Sequence, residues 1–323
     1  MARSLIIYTN CSKGGVTSVI RNRALSQPTT EFAAVFLNDR NGARAFDDIP
    51  NISVRIVRRD RATTYLKYIL ANFGFTSISI LSEPDIANSI APSVSVPVEY
   101  EFHSSDSSVI ERELAVLNTS QIDRIVVPSA YLRQKVSALM PQADRTVVEV
   151  RPNLVDVNAF SAAVSQDDAG FGSLPSFKLV LWVGRFDKGK GYKQFLRVLG
   201  ALPDGYYGIA VVSLESDPMR AAEFFYECDS AGAADRVSLF ADISNAEMAQ
   251  LLRAVRDSGG FLLSTSLMES FGYSVAEALA VGTRVIAYEL PALQELPDND
   301  KLLTFVPIGS FADVVREATR ELR

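Results

Sequence analysis

Short apolar segments alternate with amphipathic segments of helical length along the whole chain. In the first half, SLIIYTN and TSISILS alternate with segments such as GVTSVIRNRALS and ATTYLKYILANF. Strands separated by helices in this way form parallel sheets with helices on both faces. The sequence therefore predicts an α/β fold of doubly wound, Rossmann-like domains. The predicted strands are SLIIYTN, FAAVFLN, ISVRIVR, TSISILS, VPVEYEF, RIVVPS and TVVEVRP, then KLVLWVG, YYGIAVVSL, RVSLFAD, GFLLSTS, RVIAYE and LLTFV.

A polar segment near the middle of the chain divides these strands into two groups. Residues 161–177 are rich in Ser, Gly, Asp and Pro, a composition typical of a linker. We therefore predict an N-terminal domain over 1–160 and a C-terminal domain over 178–323, facing each other across a cleft. Ligands of such sheets bind beyond the carboxyl ends of the strands. The last helical segment, 310–323, either closes the second domain or packs back on the first.

Composition indicates a folded protein with sizeable cores. The chain has 323 residues, of which 48% are apolar and 22% charged. No apolar run approaches the roughly 18 residues that span a bilayer, and the start has too short an apolar segment for a signal peptide. Two cysteines, Cys11 and Cys228, provide neither a disulfide framework nor a zinc site. These features predict a cytoplasmic protein.

The charge of the chain is unevenly distributed. The net charge is −6, yet residues 1–80 carry 11 Lys and Arg against 5 Asp and Glu. The acidic remainder argues against a general nucleic-acid binder. The basic excess is either a solvated surface or a face that meets an anionic membrane leaflet or a phosphorylated acceptor. Its densest part contains Arg55, Arg58, Arg59, Arg61 and Lys67.

The segment VGRFDKGKGYKQFL places a glycine-rich basic turn between a predicted strand and a predicted helix. Gly184 to Lys190 reads G-x-x-x-x-G-K, but Gly191 stands where a nucleotide-binding P-loop needs the Ser or Thr that ligates Mg²⁺. Arg185 and Lys190 precede a helix that begins near Tyr192. Two cations at a helix N-terminus suit a diphosphate without a metal. The alternative is a solvated basic turn.

About eighty residues later, FLLSTSLMESFGYSVAEALAVGTRVIAY places an acidic pair around another strand-to-helix loop. Ser274 and Glu277 have the S-x-x-E spacing of a capping box, as do Ser244 and Glu247 on another helix. Capping would explain Glu277 alone. It does not explain Glu269, an acid held in a loop directly after a strand.

Together these segments resemble the retaining glycosyltransferases of the GT-B fold, in particular glycosyltransferase family 4 (glycosyl transferases group 1). The resemblance rests on VGRFDKGKGYKQFL and on two glutamates, Glu269 and Glu277, inside ESFGYSVAEALAVGTRVIA. It covers Lys178 to Leu296 firmly. It extends to the first domain through SKGGVTSVI, EFHSS, VVPSAYLRQKV and VRPNLVDVNAF.

The resemblance implies a role for each matching residue. Arg185 and Lys190 would neutralise the diphosphate leaving group, and Glu269 would accept hydrogen bonds from the transferred sugar. Glu277 would bind the ribose hydroxyls, and His103 would contact the donor sugar. Backbone N–H groups at the start of the second-domain helix and a glycine loop in the first domain would complete the donor site. The implied catalytic residues are His103, Arg185, Lys190 and Glu269, and the implied donor-binding residues are Gly14, Gly15, Phe271, Gly272, Tyr273 and Glu277, with no metal ligand.

Two positions depart from the family pattern. Ser104 follows His103 where many members have Asp, which bears on the acceptor side of the site. Ser270 stands where Gly is common.

The implied activity is transfer of a sugar from a nucleotide diphosphate sugar to a hydroxyl of a glycan, lipid-linked or small-molecule acceptor. The family implies retention of configuration by front-face displacement, without metal or cofactor. The first domain would bind the acceptor and the second the nucleotide sugar, with no nucleic-acid partner. The basic first domain adds peripheral contact with an anionic membrane, at its inner face. The alternatives are a degenerate GT-B protein that binds a ligand or partner without catalysis, a nucleotide-sugar epimerase and a P-loop nucleotidase.

Overall fold

The chain folds into two compact units, Met1–Leu154 and Val155–Arg323. The computed structural model describes residues 2–141, 144, 146–161, 177–213, 219–298 and 301–320. The predicted linker, 161–177, falls almost entirely on 162–176, which lie outside the described residues, as do 321–323 at the end of the last predicted helix. Each unit contains one parallel sheet, of 7 strands in the first and 6 in the second. The predicted α/β fold class is confirmed.

The sheet of the first unit has the strand order β3-β2-β1-β4-β5-β6-β7. Every strand predicted for this half is present. The chain leaves β1 in one direction and later returns to β1's other side, so the strand order reverses between β1 and β4. The strands are β1 Ala2–Cys11, β2 Thr30–Asp39, β3 Ile52–Ile56, β4 Ser77–Leu81, β5 Val98–Glu101, β6 Arg124–Val127 and β7 Val147–Val150.

Helices cover both faces of this sheet because successive residues of the central strands point to opposite sides. Leu5 and Ile7 of β1 pack in the core that the later helices cover, whereas Ile6 packs with Ile20 and Ala24 on the opposite face. The helices are α1 Gly15–Ser26, which carries Ile20 and Ala24, and α2 Arg59–Asn72, α3 Pro84–Ile90, α4 Ser107–Val116 and α5 Ala130–Leu139 on the other side.

The sheet of the second unit has the order β10-β9-β8-β11-β12-β13, and its strand order reverses between β8 and β11. All strands predicted for this half are present. The strands are β8 Lys178–Gly184, β9 Tyr206–Val212, β10 Val237–Ala241, β11 Phe261–Ser264, β12 Val285–Tyr288 and β13 Leu303–Val306. The helices are α6 Tyr192–Ala201, α7 Met219–Ser230, α8 Asn245–Asp257, α9 Tyr273–Val281, α10 Pro291–Gln294 and α11 Phe311–Thr319.

The last described helix, α11, packs on the second unit. Val314 and Ala318 are buried in the core that also contains Trp182 and Phe195. The hydroxyl of Tyr206 donates a hydrogen bond to the Ala318 carbonyl at 3.0 Å. No helix among the described residues is long and apolar enough to cross a membrane.

Candidate functional site

The glycine-lysine turn of the second unit leaves the carboxyl end of β8 and enters α6, as predicted. Gly191, the residue before the helix, has a φ of +69°, which favours glycine. A Cβ at this position would also lie 2.4 Å from the Thr265 carbonyl oxygen. Both the backbone conformation and the close approach to the end of β11 therefore require glycine here.

Two buried side chains fix the backbone of this turn. The Thr265 hydroxyl lies 3.0 Å from the Lys190 carbonyl oxygen and 2.9 Å from that of Gly191. The indole N–H of Trp182 donates to the Thr265 hydroxyl at 3.1 Å and approaches the Lys190 carbonyl at 3.2 Å. The turn is thus held against the end of β11 and cannot move freely.

Asp187 contacts both predicted basic residues of the turn, one through its side chain and the other through its backbone. Asp187 Oδ2 lies 3.2 Å from Arg185 Nη2, and Asp187 Oδ1 accepts a hydrogen bond from the Lys190 backbone N–H at 3.0 Å. Asp187 therefore orients the arginine side chain and the backbone of the lysine together.

The structure brings Glu269 directly to this turn. Lys190 Nζ lies 2.5 Å from Glu269 Oε1, and both side chains are largely buried. The two loops meet because β8 and β11 are neighbours in the sheet. Among the described residues, no group of three or more His, Cys, Asp or Glu side chains is arranged to hold a metal ion.

The helix that follows Glu269, α9, begins at Tyr273. Gly272 is its N-cap with a φ of +91°, and no side chain caps the helix. The predicted capping box of Ser274 and Glu277 is therefore wrong, since helical geometry already includes Ser274. The other predicted box is confirmed: Ser244 and Glu247 exchange both capping hydrogen bonds on α8.

Without a capping role, Glu277 is a buried carboxyl group. It is 9% exposed and makes no hydrogen bond or ion pair to any described residue. Burial raises the pKa of Glu277 to about 8, and the negative charge of Asp156 acts in the same direction. A carboxyl group held in this way calls for an external hydrogen-bonding partner.

Phe271, Gly272 and Tyr273 lie at the N-terminus of α9 as predicted. The rings of Phe271 and Tyr273 meet edge to face with centroids 5.0 Å apart. A Cβ on Gly272 would come within 2.2 Å of Leu293 Cδ2, so this turn also requires glycine. The tight packing fixes the direction of the backbone N–H groups at the helix start.

The predicted residues of the first unit occupy two loops at the carboxyl edge of its sheet. Gly14 is the N-cap of α1 without a side-chain cap, and Gly15 is the first residue of that helix. His103 lies just beyond β5, where its Nε2 is 3.0 Å from Glu101 Oε2. Arg23 of α1 binds both oxygens of Glu101, at 2.7 and 2.9 Å.

The buried Glu101 is an anion, and it holds the imidazole of His103. Burial by itself would raise the pKa of Glu101, but the Arg23 guanidinium and the hydrogen bond with His103 outweigh it and hold the pKa well below its usual range. The carboxylate therefore remains charged and keeps the ring in one orientation.

Residues 166–320 match the sequence profile of the family described as Glycosyl transferases group 1. The matched region contains every second-unit residue of the predicted site. A phosphatidyl-myo-inositol mannosyltransferase from Mycobacterium tuberculosis is 27% identical over 288 residues, which are 83% of this chain and 69% of that protein. The chain is a glycosyltransferase, and its second unit carries the match to the group 1 family.

Other relatives of this glycosyltransferase agree in class. A D-inositol 3-phosphate glycosyltransferase from Mycolicibacterium smegmatis is 29% identical over 202 residues, covering 61% of this chain and 45% of that protein. The crystal structure of Anabaena HepE in complex with UDP-glucose has a TM-score of 0.79 and 15% identity, covering 98% of this chain and 89% of that one. The fold of the glycosyltransferase is therefore GT-B, built from two Rossmann-like units.

Several residues that shape the site in this glycosyltransferase were not predicted. Asp187 lies inside the quoted turn, and Thr265 ends the predicted strand FLLSTS, so position alone could have indicated both. Glu101 precedes His103 by two residues and therefore shares its side of the strand. Arg23 carries no such signal, because only the packing of α1 on the sheet brings it to Glu101.

Proposed function

We propose that this glycosyltransferase transfers a sugar from a nucleotide diphosphate sugar to a hydroxyl of a phosphorylated or lipid-linked acceptor, with retention of configuration and without a metal. The observation that carries the proposal is the ion pair of Lys190 and Glu269 at the rigid turn of Arg185 and Asp187. The pair would present a cation to a diphosphate beside a carboxylate that can accept hydrogen bonds from sugar hydroxyls.

The diphosphate is the leaving group, and negative charge develops on it as the glycosidic bond breaks. Asp187 holds the Arg185 guanidinium at 3.2 Å and Glu269 holds the Lys190 ammonium at 2.5 Å, so both cations are oriented before the donor binds. Preorganised charges of this kind stabilise a transition state without rearrangement during the reaction. These two cations would neutralise the diphosphate, a role that a bound metal ion plays in many other enzymes that act on phosphate groups.

Front-face displacement fits the surroundings of Glu269. A double displacement needs a free carboxylate behind the anomeric carbon, whereas Glu269 is engaged by Lys190. In the proposed step, the donor C1–O bond to phosphate breaks as the acceptor oxygen bonds to C1 on the same face. The acceptor proton passes to the departing phosphate oxygen, so no protein base is required.

Glu277 is the proposed contact for the nucleoside. Its two carboxylate oxygens can accept hydrogen bonds from two ribose hydroxyls, and no described residue occupies them. A pair of hydroxyl donors would compensate for the burial of the carboxylate. The relative in complex with UDP-glucose supports a nucleoside diphosphate donor.

The acceptor side is proposed from the named relatives and from the surface of α2. One relative acts on phosphatidyl-myo-inositol and another on an inositol phosphate, by their names. Around α2, basic residues lie beside exposed apolar ones: Tyr68 is 60% and Phe73 46% exposed. Basic residues flanking exposed aromatic groups favour binding to an anionic membrane surface.

A thermal-shift screen against UDP-, GDP- and ADP-sugars tests the donor. We expect one nucleotide class to raise Tm, and Glu277→Gln to weaken that shift. With the donor identified, the anomeric configuration of the product, measured by NMR, tests retention, and activity in excess EDTA tests metal independence. An inverted product, or loss of activity restored only by added divalent cation, contradicts the corresponding part of the proposal.

Co-sedimentation with phosphatidylglycerol vesicles at low and high salt tests the membrane contact. We expect binding at low salt that salt weakens, and Tyr68→Ser to reduce it. Phe225→Ser, which changes an exposed aromatic residue on α7 of the second unit, is the matched control. An absence of binding at low salt contradicts the proposed membrane contact but does not bear on the proposed sugar transfer.

A further inference from the structure

A second polar cluster lies at the carboxyl edge of the first unit's sheet, where the strand order reverses between β1 and β4. Thr9 is near the end of β1, Glu83 follows β4, and Arg59 begins α2. Ligands of doubly wound sheets bind at such reversal points. None of these three residues belongs to the predicted site.

The Glu83 carboxylate is only half satisfied. Its side chain is 4% exposed, and Oε1 accepts hydrogen bonds from the Thr9 hydroxyl and from Arg59 Nη2, the latter at 2.5 Å. Oε2 makes no hydrogen bond to any described residue. Oε2 is not among the described buried atoms that lack a partner, so it is accessible and can accept a hydrogen bond from a ligand.

Two largely buried ion pairs of the same unit engage both oxygens of their carboxylates. Arg23 binds both oxygens of Glu101, and Arg151 binds both oxygens of Glu99 at 2.7 and 2.9 Å. In the pair of Arg59 and Glu83, one oxygen carries both contacts. Glu83 thus keeps its second carboxylate oxygen available for a further hydrogen bond.

Arg59 also has unused hydrogen-bonding capacity. Its side chain is 53% exposed, and one Nη2 contact is its single side-chain hydrogen bond to the described residues. It lies at the N-terminus of a 14-residue helix that no side chain caps. The Asp60 carboxylate in that first turn is engaged by Arg58. Guanidinium N–H groups at a helix N-terminus form a favourable site for phosphate.

The backbone before Glu83 is strained. Ser82 has a φ of +53°, which non-glycine residues rarely adopt. Its N–H donates to the Glu101 carbonyl oxygen at 3.2 Å, which fixes this conformation against β5. Strained residues of this kind concentrate at ligand-binding sites.

We propose that Thr9, Arg59 and Glu83 form a subsite for a phosphorylated polyol, the acceptor of the reaction proposed above, on which this inference rests. Glu83 Oε2 accepts a hydrogen bond from a ring hydroxyl, and the free N–H groups of Arg59 donate to the phosphate. Because the carboxylate and the guanidinium touch, the hydroxyl and phosphate lie close together on one ring. The phosphate belongs either to a soluble ester or to a lipid headgroup.

Binding of soluble inositol 1-phosphate, inositol and inorganic phosphate, measured by calorimetry, tests the subsite. We expect Arg59→Gln to weaken the binding of inositol 1-phosphate and of inorganic phosphate about 10- to 100-fold, as loss of a charge-assisted hydrogen bond does. We expect Glu83→Gln to weaken the binding of inositol 1-phosphate and of inositol, and to leave the binding of inorganic phosphate unchanged. Arg61→Gln, an equal charge change on an exposed residue of the same helix, has less than about a 2-fold effect.

A vesicle arm distinguishes the two sources of phosphate. Phosphatidylinositol vesicles are compared with phosphatidylglycerol vesicles for wild type, Arg59→Gln and Arg61→Gln. If wild type prefers phosphatidylinositol vesicles and Arg59→Gln abolishes that preference, the phosphate belongs to a lipid headgroup. If Arg59→Gln weakens binding of the free ester only, the acceptor is soluble. Equal effects of Arg59→Gln and Arg61→Gln in both arms, or no wild-type binding in either, overturn the subsite.

Two controls keep folding and the proposed function separate from this result. Arg59→Lys and Glu83→Asp retain the charge of each residue and serve as folding controls. We expect both variants to keep the wild-type Tm and to retain part of the binding of inositol 1-phosphate. Donor hydrolysis without acceptor is measured in every variant and is expected to stay within about 2-fold of wild type, since none of the three residues belongs to the proposed donor site. Intact donor hydrolysis with failed acceptor binding overturns the subsite alone.

Discussion

Lys190 and Glu269 form a close ion pair, with Nζ 2.5 Å from Oε1, although 79 residues separate them. The contact joins the loop after β8 to the loop after β11. An ammonium group has three N–H donors, so Lys190 can keep Glu269 while it binds a phosphate oxygen. The carboxylate thus holds the ammonium group in the position from which, under the proposed function, it would bind the leaving group.

Lys190→Ala removes one of the two cations from the leaving group. We expect kcat to fall about 10²- to 10³-fold, as loss of a preorganised electrostatic donor does. Lys188→Ala, which changes an exposed lysine of the same turn, is the control and should stay near wild type. Near-wild-type kcat in Lys190→Ala contradicts the assignment.

The strands and the loops of the site were predictable because their signals are local. Apolar periodicity located every strand, and the carboxyl ends of those strands placed Arg185, Lys190 and Glu269 at one edge of a sheet. The contact of Lys190 with Glu269 was not predicted, because it depends on the strand order, which makes β8 and β11 neighbours, and on side-chain packing.

The start of α9 and the polar cluster of the first unit were not predictable in the same way. The S-x-x-E spacing of Ser274 and Glu277 matches a capping box, yet packing of Gly272 against Leu293 starts the helix earlier. Arg59 and Glu83 lie 24 residues apart on separate elements, so only the folded chain pairs them. Local spacing carries no information about such contacts.

The buried carboxyl of Glu277 makes stability depend on pH. Because its pKa in the folded protein is about 8, above the ordinary 4.5, the folded state holds a proton that the unfolded state has lost between these values. The free energy of unfolding should therefore fall with rising pH between about 4.5 and 8, by at most about 1.4 kcal/mol per pH unit from this group.

Glu277→Gln removes this contribution. Urea unfolding of wild type and variant from pH 5 to 9 should show the variant gaining stability relative to wild type as pH rises, with a constant difference above about pH 8. In Asp156→Asn, the pH dependence of stability that comes from Glu277 should end at a lower pH, because the substitution removes the negative charge that raises the pKa of Glu277. A difference between wild type and Glu277→Gln that does not vary with pH contradicts the assignment.

Gly191→Ala should destabilise the second unit more than Gly205→Ala. Both glycines have positive φ, +69° and +97°, so each substitution incurs a conformational cost of about 1–2 kcal/mol. A Cβ at Gly191 also meets the Thr265 carbonyl oxygen, whereas one at Gly205 meets nothing within 4 Å. The clash adds about 1–3 kcal/mol, as overpacking does. Equal shifts of the urea midpoint in the two variants would show that the turn has room to relax.

Glu101→Gln tests the buried anion that orients His103. The substitution leaves the Arg23 guanidinium without its charge partner in a buried site, and removal of one member of such a pair costs about 3–5 kcal/mol. Glu149→Gln is the control, because its pair with Arg124 is partly exposed and should contribute less than about 1 kcal/mol. Since the pKa of Glu101 is held below its usual value, its contribution to stability is present at neutral pH and is lost as the pH falls through the acid range. Urea unfolding at pH 7 and pH 4 should therefore show a smaller difference between wild type and Glu101→Gln at the lower pH. If His103 acts in catalysis, the same variant lowers kcat while nucleotide affinity stays unchanged, a combination that loss of stability alone does not produce.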